Sequence, residues 1–296
     1  MSRFRNSSKS FKLIVSFILL LLIGSIGIST FQSFYSLSVN SFTYPTPKVS
    51  SQVRLCVLAD LHDRSFEEKN SRLVSKVESV NPDLIILDGD MLNHDSPDAD
   101  IVCTLISKLK DICPVYFGLG NHEIENRDRI DHQLVSKIED AGAVVLDEDY
   151  EDIEVNGNTI RLGGLYAYAF GSGPVENEAA LVEPEVKAFL EEYQNTDNLK
   201  IMMSHRPDSF IFGDASKVWD IDLVISGHLH GGQVVLPFLG GVFGGDQGYF
   251  PKYIHGMYEK DNMNIFITSG LGSGHKPLPR FNNIPEIAVI DIVNSR

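Results

Sequence analysis

Cysteine and basic side chains are both scarce in this sequence, and each shortage removes a class of function. Cys56, Cys103 and Cys113 are the only cysteines in 296 residues, an odd set with no CxxC pair and no Cys/His zinc spacing. They point to neither a disulfide framework nor a structural zinc site. Cys56 lies in an apolar, strand-like run and reads as core. Cys103 and Cys113 flank a predicted helix that would hold them roughly 15 Å apart, which argues against a bridge. There are 25 Lys and Arg against 40 Asp and Glu. Arg3, Arg5, Lys9 and Lys12 account for four of the 25, so the rest of the chain has 21 against 40, a net charge of -19. Such a domain repels polyanions, so nucleic acid is not an expected partner. Alternatively, some of the carboxylates serve as metal ligands, and bound cations would neutralise part of the excess.

Two further absences narrow the fold. No internal repeat is visible, and the glycine-rich GGVFGGDQG at 240–248 does not join a strand to a helix, which excludes a phosphate-binding P-loop there. It reads as a lid or an ordinary surface loop. Phe238, Leu239, Phe243, Tyr249 and Phe250 would give such a lid apolar surface for a lipid-like substrate.

The N-terminus carries the strongest signal of address. Residues 1–12 hold four basic groups and no acid, and Leu13–Ile28 follows without a charge. The length fits both a short spanning helix and a long signal-peptide core, with small residues at Ser25-Ile26-Gly27 for the second reading. The aromatic collar of Phe31, Phe34 and Tyr35 favours an uncleaved anchor over residues 13–31. Basic flanks stay cytoplasmic, which places everything downstream on the extracytoplasmic side of the cell membrane. Residues 32–52, rich in Ser, Thr and Pro, read as a linker, and 53–296 as the catalytic domain.

Within that domain, apolar runs alternate with amphipathic stretches. Strands are predicted at 53–59, at LIILDG and at 114–120, and helices at Ser65–Val80, Ile101–Lys110 and Arg129–Ala141. Later strands are predicted at AVVLD, TIRLGGL, KIMMSH, DLVISGH, GQVVLP, NIFITSG and EIAVIDI. The pattern is α/β, and successive βαβ units bring the C-terminal ends of parallel strands to one sheet edge. Asp60 and His62 follow the first strand, Asp90 the second, and Asn121 and His122 the third. His205 follows KIMMS, and His228 and His230 follow DLVISG. Asp60 to Asp90 is 30 positions and Asp90 to Asn121 is 31, about one βαβ unit each. Mixed oxygen and nitrogen donors with four histidines suit divalent ions of borderline hardness, such as Mn, Fe or Zn, over an all-oxygen magnesium site.

Asp60-Leu61-His62, Gly89-Asp90, Gly120-Asn121-His122-Glu123, His205 and Gly227-His228-Leu229-His230 resemble, in order and spacing, the motif blocks of the calcineurin-like metallophosphoesterase superfamily. Gly231-Gly232-Gln233 and the closing SGLGSGHKPLPRFNNIPEIAVIDI are similar to its membrane-associated branch, the UDP-2,3-diacylglucosamine hydrolase-like phosphodiesterases. The resemblance implies a four-layer αββα sandwich behind the transmembrane helix and two divalent metal ions. It assigns one ion to Asp60, His62 and His230, and the other to Asn121, His205 and His228, with Asp90 bridging. His122 then meets the substrate phosphate and can act as general acid. The implied reaction is hydrolysis of a phosphoester, most simply a phosphodiester, by a bridging hydroxide, with lipid-linked or cell-envelope substrates favoured by the anchor. The alternatives are a nucleotide phosphodiesterase and a non-catalytic scaffold of the same fold. The branch often carries Asp where this chain has Asn93, a change in the surroundings of the ligands. Asn93-His94-Asp95 also replaces the Asp-Arg-Gly of phosphoprotein phosphatases. His132 reads as a surface residue of a helix, and His94 and His275 as loop residues near the site.

Overall fold

The computed structural model describes residues 2–165, 179, 182–274 and 279–295, with side chains from residue 11 on. In chain order the first half contains α1 (Ser2–Tyr35), β1 (Ser38–Thr46), β2 (Val53–Leu58), α2 (Ser71–Ser79), β3 (Leu84–Asp88), α3 (Asp100–Leu109), β4 (Val115–Gly118), α4 (Asn121–Arg129), α5 (Leu134–Ala141) and β5 (Val144–Leu146). The second half adds β6 (Asp149–Val155), β7 (Asn158–Gly164), α6 (Pro184–Tyr193), β8 (Leu199–Met203), α7 (Asp208–Ile211), α8 (Ala215–Val218), β9 (Leu223–Ser226), β10 (Val235–Leu236), β11 (Gly240–Gly241), β12 (Gly256–Lys260), β13 (Met263–Ile267) and β14 (Glu286–Asn294).

These strands make two six-stranded sheets, ordered β1-β14-β2-β3-β4-β5 and β12-β13-β9-β8-β7-β6. Strands β2 to β5 run parallel, as do β7, β8, β9 and β13. The side-chain period of two explains the layering. In β3, Leu84 and Ile86 pack between the sheets with Ile201, Met203 and Ile225. Ile85 and Leu87 point the other way, onto Val77, Leu105 and Ile138 of α2, α3 and α5. In the second sheet, Met202, Val224 and Ile265 pack on Leu190, Tyr193 and Phe210 from α6 and α7. Three apolar layers thus separate four layers of secondary structure, the αββα arrangement.

Several elements differ from the reading of the sequence. The 32–52 segment is not a tether throughout, because β1 pairs in parallel with β14 from Ser38 opposite Glu286 to Thr46 opposite Asn294. Tyr44 and Thr46 are buried, and Pro45 is tolerated because β1 is an edge strand. The first helix of the domain starts at Ser71 rather than Ser65, since Glu67, Lys69 and Asn70 take positive φ and the Asn70 side chain accepts the Phe66 N–H. The stretch before α5 is a separate helix, α4, and His132 lies exposed in the turn between the two. Of GQVVLP only Val235 and Leu236 form a strand, paired with β11 outside both large sheets. Strands β6 and β12 carry too much charge and glycine to register as apolar runs. All three cysteines are free.

Helix α1 contains a segment, Phe11–Tyr35, that is long and apolar enough to cross a membrane, and none of the described residues buries its most apolar window. Its C-terminal turns touch the domain. Ser29 Oγ accepts the Asn282 N–H at 2.7 Å and Ser33 Oγ the Asn283 N–H at 3.3 Å, while Arg72 donates to Tyr35 O at 2.7 Å.

Candidate metal centre

Asp60, His62, Asp90, Asn121, His122, His205, His228 and His230 converge at the C-terminal edge of β2, β3, β4, β8 and β9. Asp60, His62, Asp90, His205 and His230 are buried, while Asn121, His122 and His228 are half-buried. The backbone bends sharply to deliver them. Asp60, His62, Asp90, His228 and His230 all have φ between 47° and 66°, a region costly for residues other than glycine. Such strain persists where the surrounding structure holds it, and it concentrates at functional sites. Gly120 has an ordinary φ of -93°, and its lack of a side chain is steric: a Cβ there would stand 2.4 Å from Asp90 Oδ1.

Three groups could each hold an ion, with ligand atoms within 4.8 Å of one another: Asp60 with His62 and His230, His62 with Asp90 and His122, and Asp90 with His205 and His228. His230 Nε2 is 3.5 Å from Asp60 Oδ1, and His205 Nε2 is 3.0 Å from Asp90 Oδ2. The far nitrogens show which atoms are available. His205 Nδ1 lies 2.6 Å from Asp88 O and His230 Nδ1 3.1 Å from Gly272 O. Carbonyls only accept, so Nδ1 carries the proton in both and Nε2 faces the carboxylates. His62 does the same against Asn93 Oδ1 at 3.1 Å, since the Asn93 amide nitrogen is spent on Asp63 Oδ2 at 2.8 Å and on His62 O. The negative charge behind His62 is therefore relayed from Asp63 through Asn93.

His122 is held in the opposite tautomer. The His94 N–H donates to its Nδ1 at 2.9 Å, so a neutral His122 carries its proton on Nε2, 3.8 Å from Asp90 Oδ2. The His94 ring stands edge-on to it at 5.1 Å. Among His62, His122, His205 and His230 in their neutral forms, it is His122 whose proton faces the centre.

The carboxylates of the cluster favour positive charge beside them, whether a proton on His205 or a metal ion. Burial would by itself lower the His205 pKa, but the Asp90 carboxylate against it, and Asp60 beyond, raise it to about 10. Burial likewise disfavours ionised Asp90, yet His205, His62 and His122 hold it well below the usual carboxylate range. Asn121 Oδ1 is buried without a hydrogen-bond partner. Hard carboxylate and amide oxygens, neutral imidazole nitrogens and an orphaned acceptor form a donor set that fits divalent ions.

Some residues that lie in the quoted motifs shape the site in ways the sequence does not state. Glu123, fully buried, accepts the N–H groups of Asp90, Met91, Leu92 and Gly120 and so ties the β3 loop to the start of α4. Asn283 donates to His230 O at 2.6 Å, and Arg280 to Gly272 O at 2.9 Å. The 240–248 loop covers one side. A Cβ on Gly245 would be 3.5 Å from His228 Nε2, and Asp246 pairs with buried Arg206. His275 lies outside the described residues.

A family model for calcineurin-like phosphoesterases matches residues 53–232. The chain belongs to that family. An uncharacterised metallophosphoesterase of Campylobacter jejuni is 28% identical over 244 residues, covering 79% of this chain but 58% of the relative, so this chain spans little more than half of that protein. The phosphodiesterase YaeI of Escherichia coli is 25% identical over 243 residues, 81% of this chain and 82% of its own. Among solved structures, the phosphopantetheinyl hydrolase of Mycobacterium tuberculosis is 17% identical, covers 74% of this chain and 89% of its own, and has a TM-score of 0.45. This metallophosphoesterase is a metal-dependent hydrolase of phosphoesters, and its histidine and aspartate clusters are where metal can bind.

Proposed function

We propose that the chain hydrolyses phosphodiesters at a membrane surface, using two divalent ions. Asp60, His62 and His230 hold one ion, and Asn121, His205 and His228 the other, with Asp90 between them. The observation that carries this reading is the Nδ1 anchoring of His62, His205 and His230, which leaves each Nε2 aimed at a carboxylate that the two clusters share or border. When bound, such ions supply Lewis acidity toward the phosphoryl oxygens and a water of lowered pKa. The protein's own part is positional. Glu123 fixes the Asp90 backbone, and Asp63 with Asn93 orients His62. His122 offers its Nε2 proton to the leaving oxygen.

The membrane setting is supported by a cavity of about 270 Å³ shared by Ser33 and Phe34 of α1 with His62, Arg64 and Arg280. A phosphoester entering there passes two guanidinium groups beside the end of the apolar helix, which favours lipid-linked or cell-envelope substrates. The basic residues 1–12, on the flank that stays cytoplasmic, support an extracytoplasmic domain. The test is a panel on the full chain in detergent, pairing a chromogenic diester with its monoester, with a cyclic nucleotide and with phospholipids. Metal content is measured beside each rate. The reading expects the diester and a lipid diester to lead. Preference for the monoester overturns the phosphodiester assignment, and full activity with two bound ions in Asp90→Asn overturns the bridging role.

A further inference from the structure

Several large apolar side chains on the turns between β10 and β12 are exposed among the described residues, although the Tyr249 ring meets Phe243 at 5.6 Å. Phe238 is 107% exposed relative to a reference residue, Tyr249 76%, Leu239 63% and Phe250 56%. Phe238 and Phe250 hold this exposure at positive φ, 68° and 54°, a backbone cost that a bulky side chain seldom bears at a turn without use. Phe238 and Leu239 stand on the turn between β10 and β11, and the Phe250 N–H bonds to Val242 O just past β11, so the exposed side chains come from successive turns of one segment; exposed apolar patches mark interaction surfaces.

Their position in the fold identifies the partner. Phe11–Tyr35 comprises 25 residues, about 37 Å of helix against a hydrocarbon core of about 30 Å. With Lys12 at the cytoplasmic surface, a core of about 30 Å ends roughly 20 residues on, near Gln32, so Ser29 lies just inside its outer boundary. Ser29 is where the domain grips the helix, through the Asn282 N–H, and the Asn282 side chain donates to Val235 O at 3.3 Å. Leu236, the end of β10, is two residues before Phe238. The Phe238-Leu239 turn thus leaves the fold three residues after Val235, which is bonded to the residue that holds the helix. The chain beyond Lys12 carries excess negative charge, so long-range attraction to an anionic surface does not favour docking, and apolar insertion is the contact this face offers.

We propose that the Phe238-Leu239 turn, with Tyr249 and Phe250 beside it, inserts into the outer interface of the same bilayer that α1 spans, as a second membrane contact. Aromatic rings favour that depth, where one face is apolar and the other wet. Two contacts, α1 and this turn, fix the tilt of the domain and keep the cavity beside His62 at headgroup level. The inference rests on the reading of α1 as an anchor.

Tryptophan fluorescence tests it. The chain has one tryptophan, Trp219, which is buried at 6% exposure and gives a fixed background. Phe238→Trp and, separately, Leu239→Trp are made in the full chain and reconstituted into phosphatidylcholine vesicles with and without brominated acyl chains. Val144→Trp is the control, since Val144 opens β5 at the sheet edge away from the site. The expected result is a blue-shifted emission at 238 and 239 that brominated lipid quenches, with no such quenching at 144. Vesicle flotation is read on the same samples. A chain that floats while 238 and 239 are quenched no more than 144 overturns the second contact and leaves the anchor standing. A chain that does not float overturns both. Blue-shifted emission without bromine quenching assigns the patch to protein, either a second copy or the closed loop, and also overturns the proposal.

Discussion

Replacing Glu286 with Gln should cost the fold roughly 3 kcal/mol at neutral pH and progressively less below pH 4.5. Glu286 opens β14, is fully buried, and accepts five hydrogen bonds. Asn40 of β1 and His255 share Oε1 at 2.9 Å each, and Thr268 and Ser269, just after β13, supply three donors to Oε2 at 2.8 to 3.0 Å. The carboxylate thus clasps one sheet to the other. Burial alone would raise its pKa, but the His255 hydrogen bond and charge, with the Ser269 amide and Asn40, bring it from 4.5 down to about 2. A depressed carboxylate contributes stability that is complete above its unfolded value and is lost as pH falls through the folded one. At about 1.4 kcal/mol per pH unit, the interval from 4.5 to about 2 corresponds to roughly 3 kcal/mol. His255 is raised by the same hydrogen bond, so its share is present below 6.5 and fades as pH climbs past its folded value. The two shifts describe one interaction and are counted once. Glutamine keeps one acceptor oxygen and turns an NH₂ toward donors, which leaves buried N–H or O–H groups unpaired at about 1–3 kcal/mol each. The assay is urea denaturation of a fragment beginning at Ser36, wild type against Glu286→Gln, across the acid range. A stability difference that stays constant with pH, or is absent at neutral pH, refutes the reasoning.

Three further outcomes are expected. His122→Ala should retain metal while kcat falls roughly 10²- to 10⁴-fold, more for an alkyl alcohol leaving group than for nitrophenolate; metal loss would make His122 a ligand, and equal deficits would leave it no acid role. Gly120→Ala, whose methyl would stand 2.4 Å from Asp90 Oδ1 and 2.5 Å from Asp90 N, should lower metal content and cost at least about 10²-fold in rate; normal metal content by elemental analysis would show that the loop yields freely. A soluble fragment cut at Ser51 loses β1, bares the edge of β14 and removes the Asn40 hydrogen bond, so it should melt well below one cut at Ser36 and aggregate in size-exclusion runs; equal melting would mean that β1 adds nothing.

What could be read directly was whatever repeats locally. Apolar runs at βαβ spacing give parallel strands, parallel strands place their C-terminal ends on one edge, and the donors at those ends must then meet. The same locality explains the misreadings. Helix α4 has only Ile124 as a buried apolar residue, so no stripe announces it; the Glu123 carboxylate and the Gly120 N–H secure its start. Strand β1 looks like a tether because its Ser, Thr and Pro composition outweighs the alternation of Phe42 and Tyr44.

By itself, the sequence determined the order of the apolar strands and of the helices between the first three of them, the set of eight polar residues at strand ends and the charge asymmetry around the apolar helix, because each is a property of neighbouring residues. Only the tertiary structure decided which nitrogen each histidine offers, since that depends on acceptors such as Asp88 O and Gly272 O, 117 and 42 positions away. The clasp between Asn40 and Glu286, 246 positions apart, and the exposed turn beside the end of α1 were decided the same way. Local patterns constrain which face a residue takes along its own element, but partners across two sheets are set by packing that no local pattern records.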